Sequence, residues 1–217
     1  MTSVLAIGEL EVAAGEIVAL LGGNGAGKTA LLETVLGFRA GAVSLFGRNV
    51  ESLGVEQRVA LGVGYVPEGR RVFAGLTVRE NLEAASSLPA DARRRRVDEM
   101  LALFPMLGER PDARAWLLSG GQQQMLALAR AQMGGAKLLL LDEPTLGLAP
   151  AVVTDLFQRL TSLAAGGSSI LLGEQRAGLA LRIASRGVVL SRGRIVRQGS
   201  AADLLADPAL ADLIAGG

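Results

Sequence analysis

Apolar residues along this chain come in two rhythms. A short apolar run at 17–21 ending in glycines predicts a buried strand, and largely apolar segments at 43–46, 63–66, 169–172 and 188–190 read as strands. At 137–142 four leucines lead to Asp142, the pattern of a strand buried on both faces. Elsewhere the spacing is helical. Leu31, Leu32, Val35 and Leu36 predict a helix over 29–36, and Val153, Leu156, Phe157 and Leu160 predict one over 150–163 with Pro150 at its start. Thr77 with Glu80 three residues on reads as a capping box opening a helix over 77–87, and Ser119 with Gln122 opens one over 119–133 in the same way. A helix over 93–104 is closed by Pro105, Gly193 sits in a turn before a short strand at 195–196, and the tail 201–215 reads as one helical segment. Strands alternating with helices predict an α/β fold with a mainly parallel central sheet. The stretch from about 76 to 117 offers no strand, so it reads as a helical subdomain inserted in a single domain spanning 1–217.

Composition narrows the chemistry by exclusion. Of 217 residues, 50% are hydrophobic and 20% charged, which suits a packed core and excludes wholesale disorder. A net charge of +1 argues against a simple electrostatic nucleic-acid binder. The absence of Cys and His removes disulfides, thiolate metal sites and every imidazole-based scheme. No apolar run approaches the roughly 18–20 residues that span a bilayer, and residues 1–10 lack a basic region and meet Glu9 early, unlike a signal peptide. The expectation is a soluble cytoplasmic domain. Almost every basic residue is Arg; the only lysines are Lys28 and Lys137.

Lys28 stands where chemistry asks for it. Gly22-Gly23-Asn24-Gly25-Ala26-Gly27-Lys28-Thr29 fits G-x-x-x-x-G-K-[ST] between a predicted strand and a predicted helix. Glycines let a backbone curl and aim N–H groups at phosphate oxygens, and the helix N-terminus adds partial positive charge. Lys28 would face the β- and γ-phosphates, and Thr29 would offer a hydroxyl to Mg²⁺. Asp142 ends a buried strand at the sheet edge where ligands of open α/β folds bind, which makes it a second candidate for Mg²⁺. Glu143 follows as a candidate general base for water. Ser119-Gly120-Gly121-Gln122 uncovers N–H groups at another helix start, a second anion site that one phosphate loop leaves to another subunit's nucleotide.

In that order, residues 22–29, Leu118 through Gln122, and Leu138 through Glu143 resemble the Walker A, signature and Walker B motifs of ABC ATPases, and the resemblance covers nearly the whole chain. The run from Gly64 to Phe73, Leu76 through Leu82, the Leu146 to Pro150 segment and Gly173-Glu174-Gln175 look like the ATP-binding subunits of branched-chain amino acid importers. The resemblance implies ATP and Mg²⁺ as cofactors, Ala30 as part of the nucleotide site, and Glu68 at the place of the Q-loop glutamine that reaches Mg²⁺ and the attacking water. It puts Gln175 at the place of the switch histidine and makes Glu143, Gln175 and Lys28 the catalytic set. It implies a second ATPase subunit, identical or different, facing this one head to tail. Permease subunits, an indirect solute-binding protein and no nucleic acid complete the partners, at the cytoplasmic face of the membrane.

Three features depart from the family pattern. Ala149 replaces the usual D-loop aspartate and Ala30 a common hydroxyl. The family's N-terminal aromatic, which stacks on adenine, has no counterpart, since no Phe, Tyr or Trp precedes Phe38. Either the chain starts late or adenine is held without stacking, at a cost of roughly 1–2 kcal/mol. Two further readings stay open: a nucleotide-binding subunit with little hydrolysis, and a soluble ABC ATPase of DNA repair or ribosomes. The latter carries long coiled-coil inserts or two cassettes, whereas residues 68–119 leave room for a few helices only. Among other features, Arg93 to Arg96 reads as a solvated helix face and Trp116 as a core or hinge residue. Phe73 and Leu76 either line a groove for the membrane subunit or pack the helical subdomain.

Overall fold

The computed structural model describes residues 3–215 and opens with two strands that the hydropathy pattern does not announce, β1 (Ser3–Ile7) and β2 (Leu10–Ala13). Then come β3 (Ile17–Leu21), α1 (Lys28–Leu36), β4 (Ser44–Leu45), β5 (Arg48–Asn49), α2 (Val55–Ala60) and β6 (Val63–Val66). Only helices lie between β6 and β7: α3 (Val78–Glu83), α4 (Ala90–Leu103), α5 (Pro105–Gly108), a 3-10 turn (Ala115–Leu117) and α6 (Gly120–Gln132). The chain continues with β7 (Leu138–Asp142), α7 (Pro150–Ala165), β8 (Ser169–Glu174), α8 (Ala177–Ala180), β9 (Arg186–Ser191), β10 (Arg194–Ser200), α9 (Ala201–Ala206) and α10 (Leu210–Ala215).

The central sheet runs β10-β9-β3-β8-β7-β6 and is parallel except for the β9–β10 pair. A smaller antiparallel sheet runs β2-β1-β4-β5. The unbroken apolar runs are explained by two cores, one on each face of the central sheet. Ile17, Ala19, Leu21, Leu139 and Leu141 face the side that α3 through α7 cover. Val18, Leu20, Leu138 and Leu140 face the side covered by α1 and the small sheet. A strand wetted on one face would alternate; one covered on both need not.

Register is what builds the site. β3 pairs with β8 so that Leu21 lies opposite Glu174, and β7 pairs with β8 so that Asp142 lies opposite Gly173. The C-terminal ends of β3, β7 and β8 therefore finish in one row, with α1 starting above them.

Several boundaries differ from the sequence expectation for local reasons. Phe46 leaves the strand expected at 43–46: with Gly47 it adopts positive φ (53° and 76°) in the two-residue turn between β4 and β5. Pro105 closes α4 but also opens α5, because its missing N–H costs nothing at a helix start. The tail is two helices, split where Asp207 and Pro208 intervene. The helix expected from 93 begins at Ala90, and the strand expected at 195–196 extends from Arg194 to Ser200 along the sheet edge. Trp116 is not in the core: it is 62% exposed on the 3-10 turn. Of the four consecutive arginines, Arg94 and Arg95 are exposed, but Arg96 donates to Gln132 O at 2.7 Å and so caps the end of α6.

Arg58 on α2 shows how the loop-bearing helix is pinned. It is 2% exposed, and its guanidinium donates to Thr34 O (2.8 Å), Val35 O (3.0 Å) and Leu53 O (2.9 Å). The first two are carbonyls in the last turn of α1, where Thr34 O also accepts from Gly37 N at 3.2 Å. Arg58→Ala is expected to lower the unfolding free energy by roughly 3 kcal/mol or more, since it strands buried acceptors and opens a cavity. Urea unfolding measures it; a loss under about 1 kcal/mol would mean that the cap contributes little.

Candidate functional site

Residues 22–29 leave β3 and curl over the sheet edge. Gly25 and Gly27 sit at positive φ (79° and 107°), where an L side chain is strained. At Gly22 a Cβ would lie 2.7 Å from Leu190 O, so backbone itself excludes any side chain there. Lys28, the first residue of α1, is 6% exposed. Its Nζ donates to Gly22 O (2.7 Å) and Gly23 O (3.1 Å) and lies 3.0 Å from Glu143 Oε1. Thr29 Oγ1 donates to Asp142 Oδ2 at 2.7 Å. Residues 23–30 share a cavity of about 550 Å³ with Glu33, Arg39, Glu68, Asp142 and Glu143, and no aromatic ring lines it.

Asp142 Oδ1 is buried without a hydrogen-bond partner. Burial pushes the Asp142 carboxyl above its ordinary range, against the pull of the Thr29 hydrogen bond. An orphaned carboxylate oxygen beside a threonine hydroxyl is half a shell for a hard cation. Among the described residues no group of three or more carboxylates converges as a metal cage, so phosphate oxygens and water would complete the shell.

Glu143 is held in the left-handed region (φ 46°) by two contacts: its N–H donates to Gly173 O at 2.9 Å, and its Oε2 accepts from Gln175 N at 3.3 Å. The Gln175 side chain itself is exposed. Beneath it, Glu174 is 1% exposed. Its Oε1 accepts from Thr145 N at 3.0 Å, while Oε2 has no partner. Arg176 Nη2 donates to Thr145 O (2.9 Å) and Thr145 Oγ1 (2.6 Å). Burial, aided by the charge of Glu143, pushes the Glu174 carboxyl up to about 7. In sequence Glu174 stands only as part of a family-like run with no role of its own, and Arg176 carries no signal, because a carboxylate closing a strand looks like a surface turn until its burial is known.

The signature segment does not line the loop's cavity. Ser119 caps α6 reciprocally: its Oγ accepts from Gln122 N (3.3 Å) and its N–H donates to Gln122 Oε1 (2.9 Å). A Cβ on Gly121 would meet Val152 Cγ1 at 2.6 Å, and one on Gly120 would meet the Arg70 guanidinium at 2.7 Å. The segment after Glu68 is tethered to the helices. Gly69, Arg70 and Arg71 all have positive φ (82°, 67° and 49°). Buried Asn81 exchanges hydrogen bonds with Phe73 N and O (2.9 Å each). Arg130 of α6 donates to Arg71 O (2.7 Å) and stacks on Phe73, 4.3 Å from the ring centroid.

The geometry thus joins residues 22–30, Glu68, Asp142, Glu143 and the Gln175 backbone, and leaves Ser119 through Gln122 on a separate surface. Residues 6–146 match the family model described as ABC transporter. The chain is 44% identical over 212 residues to the high-affinity branched-chain amino acid transport ATP-binding protein BraG of Pseudomonas aeruginosa, covering 96% of this chain and 91% of that protein. It is 38% identical over 202 residues to the probable branched-chain amino acid transport ATP-binding protein LivF of Archaeoglobus fulgidus, covering 91% and 86%. Among solved structures, CbiO1 of Clostridium perfringens superposes with a TM-score of 0.87 at 24% identity over 95% of this chain and 92% of that one. A nucleotide-free ATP-binding cassette from an ABC transporter does so at 0.87 and 22%, covering 97% and 98%.

Glu174 makes stability depend on pH with a definite sign. Its carboxyl is raised from 4.5 to about 7 by folding, so the folded chain holds a proton that the unfolded chain has released. Its contribution is most favourable below the unfolded value and is lost as pH rises through about 7. Glu174→Gln, which stays neutral, is expected to match the parent near the unfolded value and to exceed it by roughly 2–3 kcal/mol at about pH 8. Urea titrations at both pH values test this; a difference that does not change with pH would refute it.

Proposed function

This chain belongs to the ABC transporter family of ATP-binding proteins, and with ATP hydrolysis coupled to transport as its activity we propose that it powers the import of branched-chain amino acids. The solute is taken from the names of the BraG and LivF relatives. The catalytic assignment rests on one observation: Lys28, Thr29, Asp142 and Glu143 meet at one cavity under a glycine loop.

The triphosphate would enter the loop at residues 22–29, where N–H groups and the start of α1 favour negative charge. A phosphate there competes for Lys28 and so loosens its pairing with Glu143. Thr29 and Asp142 would hold Mg²⁺, with Glu68 lining the same cavity, and the ion would supply charge neutralisation for the phosphates. Glu143 takes a proton from water as the water oxygen bonds to the γ-phosphorus. The bond to the bridging oxygen breaks, and its electron pair leaves with ADP. Gln175, whose backbone already fixes Glu143, would place its side chain beside the γ-phosphate.

A second ATPase subunit, a different chain or a second copy, would lay its nucleotide against Ser119 through Gln122. Exposed Leu117 (50%) and Leu146 (57%) suit that face. A groove of about 740 Å³ lined by Leu36, Val55, Val59, Tyr65 and Leu88 suits a helix of the permease. Phe73 and Leu76 are not among its lining residues. No described helix is long and apolar enough to cross a membrane, which fits a peripheral subunit on the cytoplasmic face, served indirectly by a solute-binding protein.

ATP turnover of the complex that co-purifies with this chain tests the reading. Glu143→Gln is expected to cut turnover by about 100-fold or more while ATP still binds, and Lys28→Ala to abolish binding. Equal turnover in parent and Glu143→Gln would remove Glu143 as the base, and tight ATP binding by Lys28→Ala would remove the phosphate loop.

A further inference from the structure

The phosphate loop has an outer wall as well as a cavity. On its inner side Lys28 Nζ ties Gly22 O and Gly23 O at 2.7 and 3.1 Å. On its outer side, backbone from the end of the chain presses against its glycines. A Cβ on Gly22 would lie 2.7 Å from Leu190 O, one on Gly27 3.1 Å from Gly193 Cα, and one on Gly23 2.6 Å from Ile214 O. Gly193 N–H also donates to Ala26 O at 2.8 Å. β9 and the turn after it supply the first two walls, and α10 supplies the third.

Gly23 is the telling position. The pattern G-x-x-x-x-G-K-[ST] asks for glycine at 22 and 27 and leaves 23 free. Backbone conformation does not ask for it either, since Gly23, unlike Gly25 and Gly27, lies outside the left-handed region. What excludes a side chain is the tail. Gly23 lines the loop's cavity on one side and meets Ile214 O on the other.

The walls differ in how firmly they are held. β9 lies inside the central sheet between β10 and β3, so its end cannot leave the loop without breaking the sheet. α10 is a six-residue helix beyond Pro208, seated on the core by buried Leu210 and half-buried Leu213 and Ile214, with Asp207 before it paired to Arg197 at 3.0 Å. A helix of that length does not hold itself, so its place depends on those contacts. The inner tie is no firmer: a phosphate that draws Lys28 away also frees Gly22 and Gly23 of it. A glycine-rich loop then keeps its curl only if something outside it does the holding.

We propose that α10 is a brace for the phosphate loop: seated against Gly23, it holds the loop in the shape that receives a triphosphate, and bound nucleotide in turn holds the tail in its seat. The second half follows from the first, because coupling between two sites is reciprocal. The brace rests on the reading of residues 22–29 as the nucleotide loop.

Mg-ATP binding and amide exchange over residues 208–214 test it, on the full chain in its co-purified complex. Leu213→Asp puts a charge under the tail and lifts it from its seat while leaving every loop residue in place. It should weaken Mg-ATP binding about tenfold, on the scale of coupled sites, with kcat at saturating ATP within about twofold of the parent. Gly23→Ala should cost a similar factor in the parent and add less than about twofold in the Leu213→Asp chain, since its methyl then meets no carbonyl. It touches no core side chain, so it also serves where Leu213→Asp fails to fold: exchange over 208–214 should be faster in Gly23→Ala than in the parent. In the parent, Mg-ATP should slow that exchange about tenfold. Parental ATP binding by Leu213→Asp overturns the proposal. So does an equal Gly23→Ala penalty with and without the tail seated, or tail exchange that nucleotide and Gly23→Ala leave unchanged. Lys28→Ala separates the two readings. If it still binds ATP tightly, the phosphate-loop reading has failed and the brace with it; if it loses ATP while Leu213→Asp binds as the parent does, only the brace has failed.

Discussion

The structure around the site depends on where one ammonium can go. Lys28 is buried, and a buried cation must be compensated. Two loop carbonyls and Glu143 do so at 2.7, 3.1 and 3.0 Å. Those contacts require the loop to curl tightly enough for Gly22 and Gly23 to aim their carbonyls inward, which needs Gly22 to have no side chain and Gly25 and Gly27 to adopt positive φ. They also require Glu143 to turn back at the end of β7, and its own φ of 46° records that turn. Parallel register then brings β8 alongside, so Gly173 and Gln175 hold the strained residue in place. If Glu143 is the base proposed above, strain held from several sides would keep the site ready before its ligand arrives.

How legible this was in sequence depended on whether a feature is local. The buried strands β3, β6 and β7 were readable because burial on both faces leaves unbroken apolar runs, and α3 and α6 because their capping boxes are written in four consecutive residues. β1, β2, β5 and α2 were not. They are two to six residues long and owe their form to pairing or to Arg58, a contact between distant segments. Trp116 misled because an aromatic among apolar neighbours reads as core, whereas a three-residue 3-10 turn leaves it outside. At the site the loop, Asp142 and Glu143 were visible as motif residues. Glu174 and Asn81 stood within family-like segments without a role, and Arg176 and Arg130 outside them, since each acts through a contact that order along the chain does not show.

The segment after Glu68 shows how one chain can carry news between its parts. Gly69 through Arg71 hold three successive left-handed conformations, a costly path for two arginines. Asn81 fastens the segment's far end to α3, and Arg130 fastens its middle to α6. Glu68 lines the cavity under the glycine loop, whereas the Arg70 guanidinium packs beside Gly120 at the head of α6. Any shift of Glu68 toward a ligand must therefore be absorbed within two residues or passed on to α6. The ties at Asn81 and Arg130 leave α6 as one element such a shift could reach. On the reading proposed above, that makes α6 report on the nucleotide beneath Glu68 as well as on the one facing Ser119.

The pairing proposed above would answer a mismatch within the single chain. The glycine loop and the head of α6 are both built to favour anions, yet α6 does not open on the loop's cavity. A helix start that exposes Ser119 just after exposed Leu117 leaves polar N–H groups and an apolar side chain facing water together. One surface can satisfy both demands: an opposed subunit that brings phosphate to the first and apolar area to the second. Neither alone would suffice. Apolar contact without the phosphate would leave the head of α6 desolvated and unpaired, and phosphate without the contact would be screened by water. On the reading proposed above, the union of the two subunits would be tied to the intact triphosphate, and cleaving it would remove the anion that favours closure.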